Sequence, residues 1–376
     1  MMKPIYLDYA ATTPVDARVA EKMQQCLTST GTFGNPASGH CFGLSAKTAV
    51  ENARAQVAEL ISAAHDEIIF TSGATESNNL ALKGAAQLYQ RKGKHIITTK
   101  TEHKSVLDCC AELEKAGFQV TYLATANNGL IDMEQFKNAL RPDTILVSVM
   151  QVNNETGVIQ DIAAIALVTA ARDILLHVDA AQSAGKIPID VKKHPIDLLS
   201  LCAHKVYGPK GIGALYVRKK PRVKVAAQIH GGGQEQGMRS GTLATHQIVG
   251  MGEAFYLAKQ QMEHDSESIR RLRDQFLEKI TRTKKVLVNG DLQYTVPHIV
   301  NLQFENHLAD QLLKKLSFIA ASTASACQGK GVEPSYVLRA MGLSEFAAKC
   351  SVRFSFGRFT TEEDIEQAAK EISSIF

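Results

Sequence analysis

Short apolar runs that alternate with helical stretches constrain the fold of this chain more than any other feature of its sequence. The runs are rich in Val, Ile and Leu, and most are separated by stretches of helical length. Strands that alternate with helices in this way indicate βαβ units and a mainly parallel sheet. The predicted strands are residues 68–70, 96–98, 120–123, 145–149, 175–178, 198–201 and 213–217, and helices are predicted at 75–90, 105–115 and 161–172.

The pattern changes near residue 248. A long, highly charged amphipathic stretch predicts a helix over 248–283, and shorter strands and helices follow it. We therefore predict an α/β protein with a mainly parallel mixed sheet in a large domain and a smaller α+β domain. The predicted parts are an N-terminal segment, 1–16, that packs on the small domain or on a partner subunit, the large domain, 17–250, and the small domain, 251–376.

Composition narrows the class of protein. Of the 376 residues, 45% are apolar and 21% are charged, which excludes a disordered, collagenous or disulfide-scaffold protein. No apolar run is long enough to span a membrane, and the N-terminus has no apolar stretch of signal-peptide length. A net charge of +4 is too small to favour nucleic-acid or membrane partners. We expect a cytoplasmic protein that binds neither.

The seven cysteines fit a reducing compartment. Their number is odd, and the sequence has no CxxC and no Cys/His pair at zinc spacing, so no metal site is expected. Cys327 differs from the rest because small residues and glycines surround it and Lys330 lies close by. A thiol in such a loop can ionise and attack, whereas the alternative is a buried, inert core cysteine.

Polar residues follow five of the predicted strands. Because ligands of open parallel sheets bind beyond the carboxyl ends of the strands, we expect these residues to share one edge. The glycine turn after the first strand offers free backbone N–H groups to an anion, although a simple helix cap without a ligand is the alternative. The five residues are Thr75, His103, Asn154, Asp179 and Lys205.

This set suits the chemistry of pyridoxal phosphate (PLP), which needs a Schiff-base lysine, an acid at its pyridine nitrogen and an anion cradle for its phosphate. Lys205 is the candidate lysine and Asp179 the candidate acid. Lys210 is the rival lysine, but its Gly-Pro-Lys-Gly setting indicates a solvated turn. Residues 211–213 lack the third glycine of a dinucleotide fingerprint, and no Walker pattern occurs. The remaining candidates are the turn at Gly73, Ala74 and Thr75 as cradle, His103 stacked on the ring, and Gln182 at its phenolic oxygen.

Together these segments closely resemble the cysteine desulfurases of the NifS/IscS-like group, which are fold-type I PLP enzymes of the class V aminotransferase family. The resemblance covers nearly the whole chain in order, and the combination is far more specific than any single motif. The segments that carry it are residues 7–14, 34–38, 70–79, 101–103, 152–155, 177–182, 204–205, 239–242, 325–327, 333–339 and 353–355.

The resemblance implies a homodimer that takes sulfur from L-cysteine and releases L-alanine. It makes Lys205 the Schiff-base lysine, Asp179 the partner of the pyridine nitrogen and Cys327 the sulfur-accepting cysteine. Arg353 suits the substrate carboxylate because its planar fork binds a carboxylate through two hydrogen bonds, the alternative being a surface ion pair. The cofactor-binding set is Ala74, Thr75, Asn154, Asp179, Gln182, Cys202, Ala203, His204, Lys205 and Thr242, the last from the other subunit, and the substrate-binding set is Asn35, Asn154 and Arg353.

The mechanism implied by the resemblance uses three catalytic residues. Lys205 moves the α-proton, His103 helps with proton transfer, and the Cys327 thiolate attacks the substrate sulfur to leave a persulfide. A scaffold or carrier protein then collects the sulfur for iron–sulfur cluster assembly or tRNA thiolation. In such a complex Cys327 is also the candidate for a transient iron–sulfur ligand.

Two departures from the family pattern keep alternatives open. A hydroxyl residue is usual where this chain has Cys202, and a thiol is a weaker donor. The chain also stops at Phe376, where housekeeping members carry a further tail that docks the scaffold. The alternatives are a PLP lyase or aminotransferase acting on another amino acid, selenocysteine included, and a weakly active paralogue that serves as a sulfur-transfer partner.

Overall fold

The computed structural model describes residues 4–282, 286–323 and 333–375 of the chain. The strands in these ranges are β1 (Ile5–Tyr6), β2 (Ile68–Thr71), β3 (His95–Thr99), β4 (Gln119–Leu123), β5 (Thr144–Met150), β6 (Leu175–Asp179), β7 (Leu198–Cys202), β8 (Gly213–Val217), β9 (Val286–Val288), β10 (Ile299–Phe304), β11 (Ile319–Ala320), β12 (Ser322–Thr323) and β13 (Ser351–Ser355). The α-helices are α1 (Ala17–Gln24), α2 (Cys41–Leu60), α3 (Ala74–Tyr89), α4 (Lys104–Lys115), α5 (Met133–Ala139), α6 (Ile162–Ala170), α7 (Thr245–Thr281), α8 (Ala309–Lys315), α9 (Tyr336–Ala340), α10 (Glu345–Lys349) and α11 (Glu362–Ser373).

Seven strands form the larger sheet, in the order β2-β8-β7-β6-β5-β3-β4. All of them run in one direction except β8, which is antiparallel to both of its neighbours. The predicted α/β class with a mainly parallel mixed sheet is therefore confirmed. Met150 lies opposite Asp179, and Asp179 opposite Ser200, so the carboxyl ends of β5, β6 and β7 meet at one edge.

Both faces of this sheet are buried, as expected for parallel strands flanked by helices. Along β2, Ile68 and Phe70 belong to the core on one face and Ile69 to the core on the other, because successive side chains point to opposite sides. Helix α7 packs with α2 on the first face, and α3 and α4 pack together on the second. Because helices cover both faces of the sheet, the polar residues lie at its carboxyl edge.

A second, four-stranded sheet has the order β12-β13-β10-β9. Its core includes Ile5 and Leu7 from the start of the chain, where β1 pairs in parallel with β11. Helix α7 contributes Phe255 to the core of the larger sheet and Phe276 to this one. The predicted division at residue 250 falls inside α7, and the exact domain boundary stays a prediction. None of the helices in the described parts of the chain is both long and apolar enough to cross a bilayer.

Candidate active site

A cavity of about 730 Å³ opens at the carboxyl edge of the larger sheet. Side chains that follow five different strands reach it, because the parallel topology places all of those strand ends side by side. The N-terminal segment and the second sheet supply the rest of its wall, through Asp8, Ser322 and Arg353. The residues that were predicted from the sequence and line this cavity are Ala74, Thr75, His103, Asn154, Asp179, Gln182, His204, Lys205 and Arg353.

Asp179, at the end of β6, is held by two hydrogen bonds. Its Oδ2 accepts from Asn78 Nδ2 at 2.8 Å, and its Oδ1 accepts from the backbone N–H of Ala181 at 2.9 Å. The carboxylate is 5% exposed, and Asn78 is fully buried in α3. These contacts fix the direction of the carboxylate at the cavity wall.

His103 caps the N-terminus of α4 through its ring. Its Nδ1 accepts from the Ser105 backbone N–H at 3.1 Å and lies 2.8 Å from Ser105 Oγ. A neutral ring with Nδ1 as acceptor carries its proton on Nε2. Desolvation by the surrounding protein lowers the pKa of His103, although part of the ring stays exposed. The neutral imidazole is therefore the main form at neutral pH.

Two lysines line the cavity. Lys205 is half-buried, and its ammonium makes no hydrogen bond or ion pair within residues 4–282, 286–323 and 333–375. Lys210 is exposed and precedes Gly211, whose φ of +83° marks a turn. His204 precedes Lys205. Burial of His204, together with the positive charges of Lys205 and Lys210, lowers its pKa to about 4. His204 is thus a neutral hydrogen-bonding group beside the lysine.

The turn between β2 and α3 is built around Gly73. Its φ is +155°, and a Cβ on Gly73 would point into open space, so the backbone itself borders the cavity. Helix α3 has no side-chain hydrogen bond at its N-cap. Its first residues, Ala74 and Thr75, border the same cavity. The turn therefore keeps the free N–H groups that an anion needs, which favours the cradle over the plain helix cap.

Arg353 reaches the cavity from β13 and is only 8% exposed. Its Nη1 donates to the Asn154 carbonyl at 2.8 Å, and its Nη2 donates to Asp8 Oδ1 at 2.8 Å. Its Nε is buried without a partner in the described part of the chain, and the same is true of Asn154 Oδ1. Buried polar groups normally have partners, so this pair indicates that a ligand completes the site.

Three predicted cofactor contacts have other surroundings. Gln182 borders the cavity, but its Nε2 donates to the Ala10 carbonyl at 2.9 Å. Cys202 and Ala203 are buried and do not line the cavity wall. The Cys202 thiol faces the Ala181 carbonyl at 3.9 Å, and burial raises its pKa to about 11. A direct contact of these residues with a cofactor stays a prediction.

Asn35 and Thr242 do not line the Lys205 cavity. They border a separate cavity of about 480 Å³ together with Arg54 and Glu235. The chain therefore does not bring these two predicted residues into its own site, which fits the expectation that Thr242 serves another subunit. Cys327 lies outside the described residues.

Sequence analysis assigned no role to four residues that the structure places at the site. Asn78 and Ser105 connect Asp179 with His103, and Asp8 and Glu155 flank Arg353. One signal was available for Asn78: it lies four residues after Ala74 on α3, so both share a helix face. The contacts of Asp8 join distant parts of the chain and have no local signature.

The side chains present suit PLP. The lysine without a partner in the described residues suits the Schiff base, and the buried, hydrogen-bonded aspartate suits the pyridine nitrogen. The uncapped helix start suits the phosphate, and the arginine nitrogen without a partner suits the carboxylate of a substrate. Within the described ranges no group of three His, Cys, Asp or Glu side chains is arranged to hold a metal ion.

Comparison with known proteins gives consistent results. Residues 5–368 match the family described as Aminotransferase class-V. A protein named "Cysteine desulfurase IscS" from Vibrio atlanticus (strain LGP32) is 59% identical over 99% of this chain and 92% of its own length, and one from Stutzerimonas stutzeri (strain A1501) is 58% identical over the same shares. A solved "NifS-like protein" has a TM-score of 0.92 at 35% identity and covers 99% of both chains. A structure described as "SspA in complex with cysteine" has a TM-score of 0.84 at 41% identity and covers 95% of this chain and all of that one.

Proposed function

Because the chain belongs to the aminotransferase class-V family, we propose that it is a PLP-dependent cysteine desulfurase. It converts L-cysteine to L-alanine and passes the sulfur to an acceptor. The full-length relatives that carry this name support the assignment. The observation that carries it is one cavity containing both Lys205 and Arg353, the latter with a buried Nε that lacks a partner among the described residues.

Three parts of the cavity hold the cofactor in this proposal. Lys205 carries it, Asp179 keeps a proton at its ring nitrogen, and the turn of Gly73, Ala74 and Thr75 receives its phosphate. The bound cofactor supplies an electron sink for the substrate's α-carbon. Asn78 matters indirectly, because its amide orients the carboxylate of Asp179.

The substrate is placed by its carboxylate. The Nε and Nη2 of Arg353 lie on one edge of its guanidinium, and this edge can donate two hydrogen bonds to a carboxylate. With the carboxylate held there, the substrate amine would displace Lys205 from the cofactor, and the freed amine of Lys205 would take the α-proton. The Nε2 proton of His103 is available to a group that is protonated during the reaction. The neutral form of His103 suits this role at neutral pH.

Sulfur leaves the substrate by nucleophilic attack. The thiolate of Cys327 forms an S–S bond with the substrate sulfur while the substrate C–S bond breaks and its electron pair stays on carbon. Protonation of that carbon gives alanine. One L-cysteine and one Cys327 thiol thus yield one L-alanine and one Cys327 persulfide, and the acceptor removes the outer sulfur in a later step.

We also propose that the protein is a homodimer in the cytoplasm and that a scaffold or carrier protein is its sulfur acceptor. Four apolar side chains between the end of α1 and the first turn of α2 are each about half exposed, and the rings of Phe33 and Phe42 lie 5.3 Å apart. Exposed apolar clusters of this kind mark protein interfaces. The iron–sulfur cluster or tRNA thiolation pathway is proposed from the resemblance alone. The four side chains are Leu27, Phe33, Phe42 and Leu44.

A paired product assay tests the function. The PLP-loaded protein is given L-cysteine and a thiol reductant, and alanine and sulfide are measured for native protein, Cys327→Ala and the control Cys41→Ala, which removes an exposed cysteine. Equal amounts of both products from native protein and Cys41→Ala, with neither from Cys327→Ala, support the persulfide route.

The other outcomes favour the alternatives. Alanine from Cys327→Ala would favour a lyase that does not use this cysteine. Absence of turnover in all three proteins despite bound cofactor would contradict the proposed activity and favour a sulfur-transfer partner without desulfurase activity of its own.

A further inference from the structure

Asp8 forms an ion pair with Arg353 inside the candidate active site. Its Oδ1 accepts from Arg353 Nη2 at 2.8 Å, and its Oδ2 accepts from Ser322 Oγ at 3.0 Å. The backbone around Asp8 is fixed as well, because it bridges to Ser355 at the end of β13. Asp8 is therefore a fixed negative charge on the wall of the cavity.

A second carboxyl group lies on the same wall. Glu155 follows Asn154, borders the cavity and is 3% exposed, and its Oε2 accepts from Ser335 Oγ. Burial raises the pKa of Glu155 to about 7, with Ser335 and the charge of Arg353 acting against the rise. Arg353 is thus ion-paired with Asp8 and lies close enough to Glu155 for its charge to favour the ionised form of that carboxyl group.

This arrangement limits what Arg353 can bind. Its Nη1 is used by a backbone carbonyl and its Nη2 by Asp8, so an incoming α-carboxylate takes the free Nε and shares Nη2. Arg353 then carries one positive charge against two carboxylates, that of Asp8 and that of the substrate. In the proposed mechanism Lys205 holds the cofactor and then takes the α-proton, and Lys210 is exposed, so a second carboxylate on the substrate meets Asp8 without a further buried cation among the described residues that line the cavity.

We propose that Asp8 is a specificity-determining residue that admits amino acids with an uncharged side chain and disfavours those with a second carboxylate. The inference rests on the proposed role of Arg353 as the anchor of the substrate carboxylate.

L-asparagine and L-aspartate test the proposal on the native protein, because they have almost the same shape and differ in one charge. Their binding to the PLP-loaded protein is followed by the change in cofactor absorbance. A like charge a few ångströms away changes affinity by about tenfold or more, so L-asparagine is expected to bind at least that much more tightly. Equal affinities for the two ligands in the native protein overturn the proposal.

Variants test whether Asp8 causes the preference for L-asparagine over L-aspartate. In Asp8→Asn the preference for L-asparagine is expected to fall to within about threefold, whereas Asp8→Glu keeps the charge and the preference. The control is Asp265→Asn, which removes another Asp–Arg contact of 2.8 Å, to Arg358, outside the lining of the cavity. An undiminished preference in Asp8→Asn overturns the assignment, and Asp8→Ser replaces that variant if the asparagine protein does not fold.

Failure of this inference is distinct from failure of the proposed function. The function fails if native protein makes no alanine and sulfide from L-cysteine. The anchor fails if Arg353→Lys leaves the KM for L-cysteine unchanged. The inference alone fails if both of those tests succeed while L-aspartate and L-asparagine bind equally.

Discussion

Asn78 Nδ2 donates to Asp179 Oδ2 at 2.8 Å while the same nitrogen donates to Ser105 Oγ, also at 2.8 Å. Ser105 Oγ in turn lies 2.8 Å from His103 Nδ1. One buried amide therefore joins Asp179, the acid proposed to face the cofactor nitrogen, to the imidazole of His103 at the same cavity. The position of both groups depends on a residue that itself touches neither cofactor nor substrate in the proposed mechanism.

Asn78→Ala is expected to weaken cofactor binding. The substitution removes the donor to Asp179 Oδ2 and to Ser105 Oγ and leaves Asp179 only the Ala181 backbone N–H. Charge-assisted bonds of this kind contribute about 1.5–3 kcal/mol, so the Kd for PLP should rise by about tenfold to a hundredfold. Titration of the apoprotein with PLP, followed by absorbance, gives the value. Asn79→Ala is the matched control, because Asn79 is only partly buried and its side chain bonds to the Thr75 carbonyl of its own helix rather than to Asp179. Equal affinities for the two variants would contradict the role given to Asn78.

Lys205→Ala should abolish the covalent attachment of PLP and lower desulfurase activity by at least about a hundredfold, because no other half-buried lysine lines the described part of the cavity. Borohydride reduction followed by peptide mass analysis locates the attachment. Lys210→Ala is the control and should retain the modified Lys205 peptide. Attachment of PLP to Lys210 in native protein would reverse the assignment.

Glu235→Gln should destabilise the fold by about 3 kcal/mol, because it leaves the buried charge of Arg54 without its bidentate partner. Glu235 also accepts from the Phe70 backbone N–H, so the loss reaches β2. Denaturant unfolding measures the change. Glu51→Gln removes the other partner of Arg54, an exposed one, and should cost less than about 1 kcal/mol. Similar losses in both variants would show that burial of the pair is not decisive.

Glu102 should make stability fall as pH rises. Burial raises the pKa of this fully buried carboxyl to about 8, from an ordinary value of 4.5. Between these two values the folded state holds more protons than the unfolded state, so folding is favoured at low pH and loses free energy as pH approaches 8. Glu102→Gln mimics the protonated form and removes this dependence.

Denaturant unfolding of native protein and Glu102→Gln at pH 5, 7 and 8.5 measures the effect. The variant should gain stability relative to native protein as pH rises, by on the order of a few kcal/mol over this range. Glu363→Gln, at an exposed position of α11, should follow the native curve. A constant difference between native protein and Glu102→Gln at all three pH values would contradict the prediction.

Most of the fold could be predicted because burial on both faces of a parallel sheet selects continuous apolar runs. The predicted strands at 68–70, 145–149 and 198–201 lie within β2, β5 and β7. The place of β8 could not be predicted, because pairing between β2 and β7 depends on the whole sheet and leaves no mark on Gly213–Val217 itself. A local sequence pattern predicts a strand but does not indicate which strands pair with it.

Some residues of the site could likewise be predicted from the sequence, and others could not. Lys205 and Asp179 could be found because Asp179 ends β6, Lys205 lies three residues beyond β7, and the carboxyl ends of these parallel strands face the ligand edge. The contact of Asp8 with Arg353 could not, because it joins the first residues of the chain to β13 through a side-chain geometry that only the finished fold creates. The separation of Thr242 from the Lys205 cavity likewise appears only in three dimensions.

The pairing of β1 with β11 has a consequence for biosynthesis. Ile5 lies beside Ile319, so β1 waits for a partner made on the order of 300 residues later, which takes tens of seconds at about 5–20 residues per second. During that interval Ile5 and Leu7 have no core to enter, while the larger sheet can already assemble. The nascent chain therefore carries an exposed apolar segment that becomes buried only after β11 has been made.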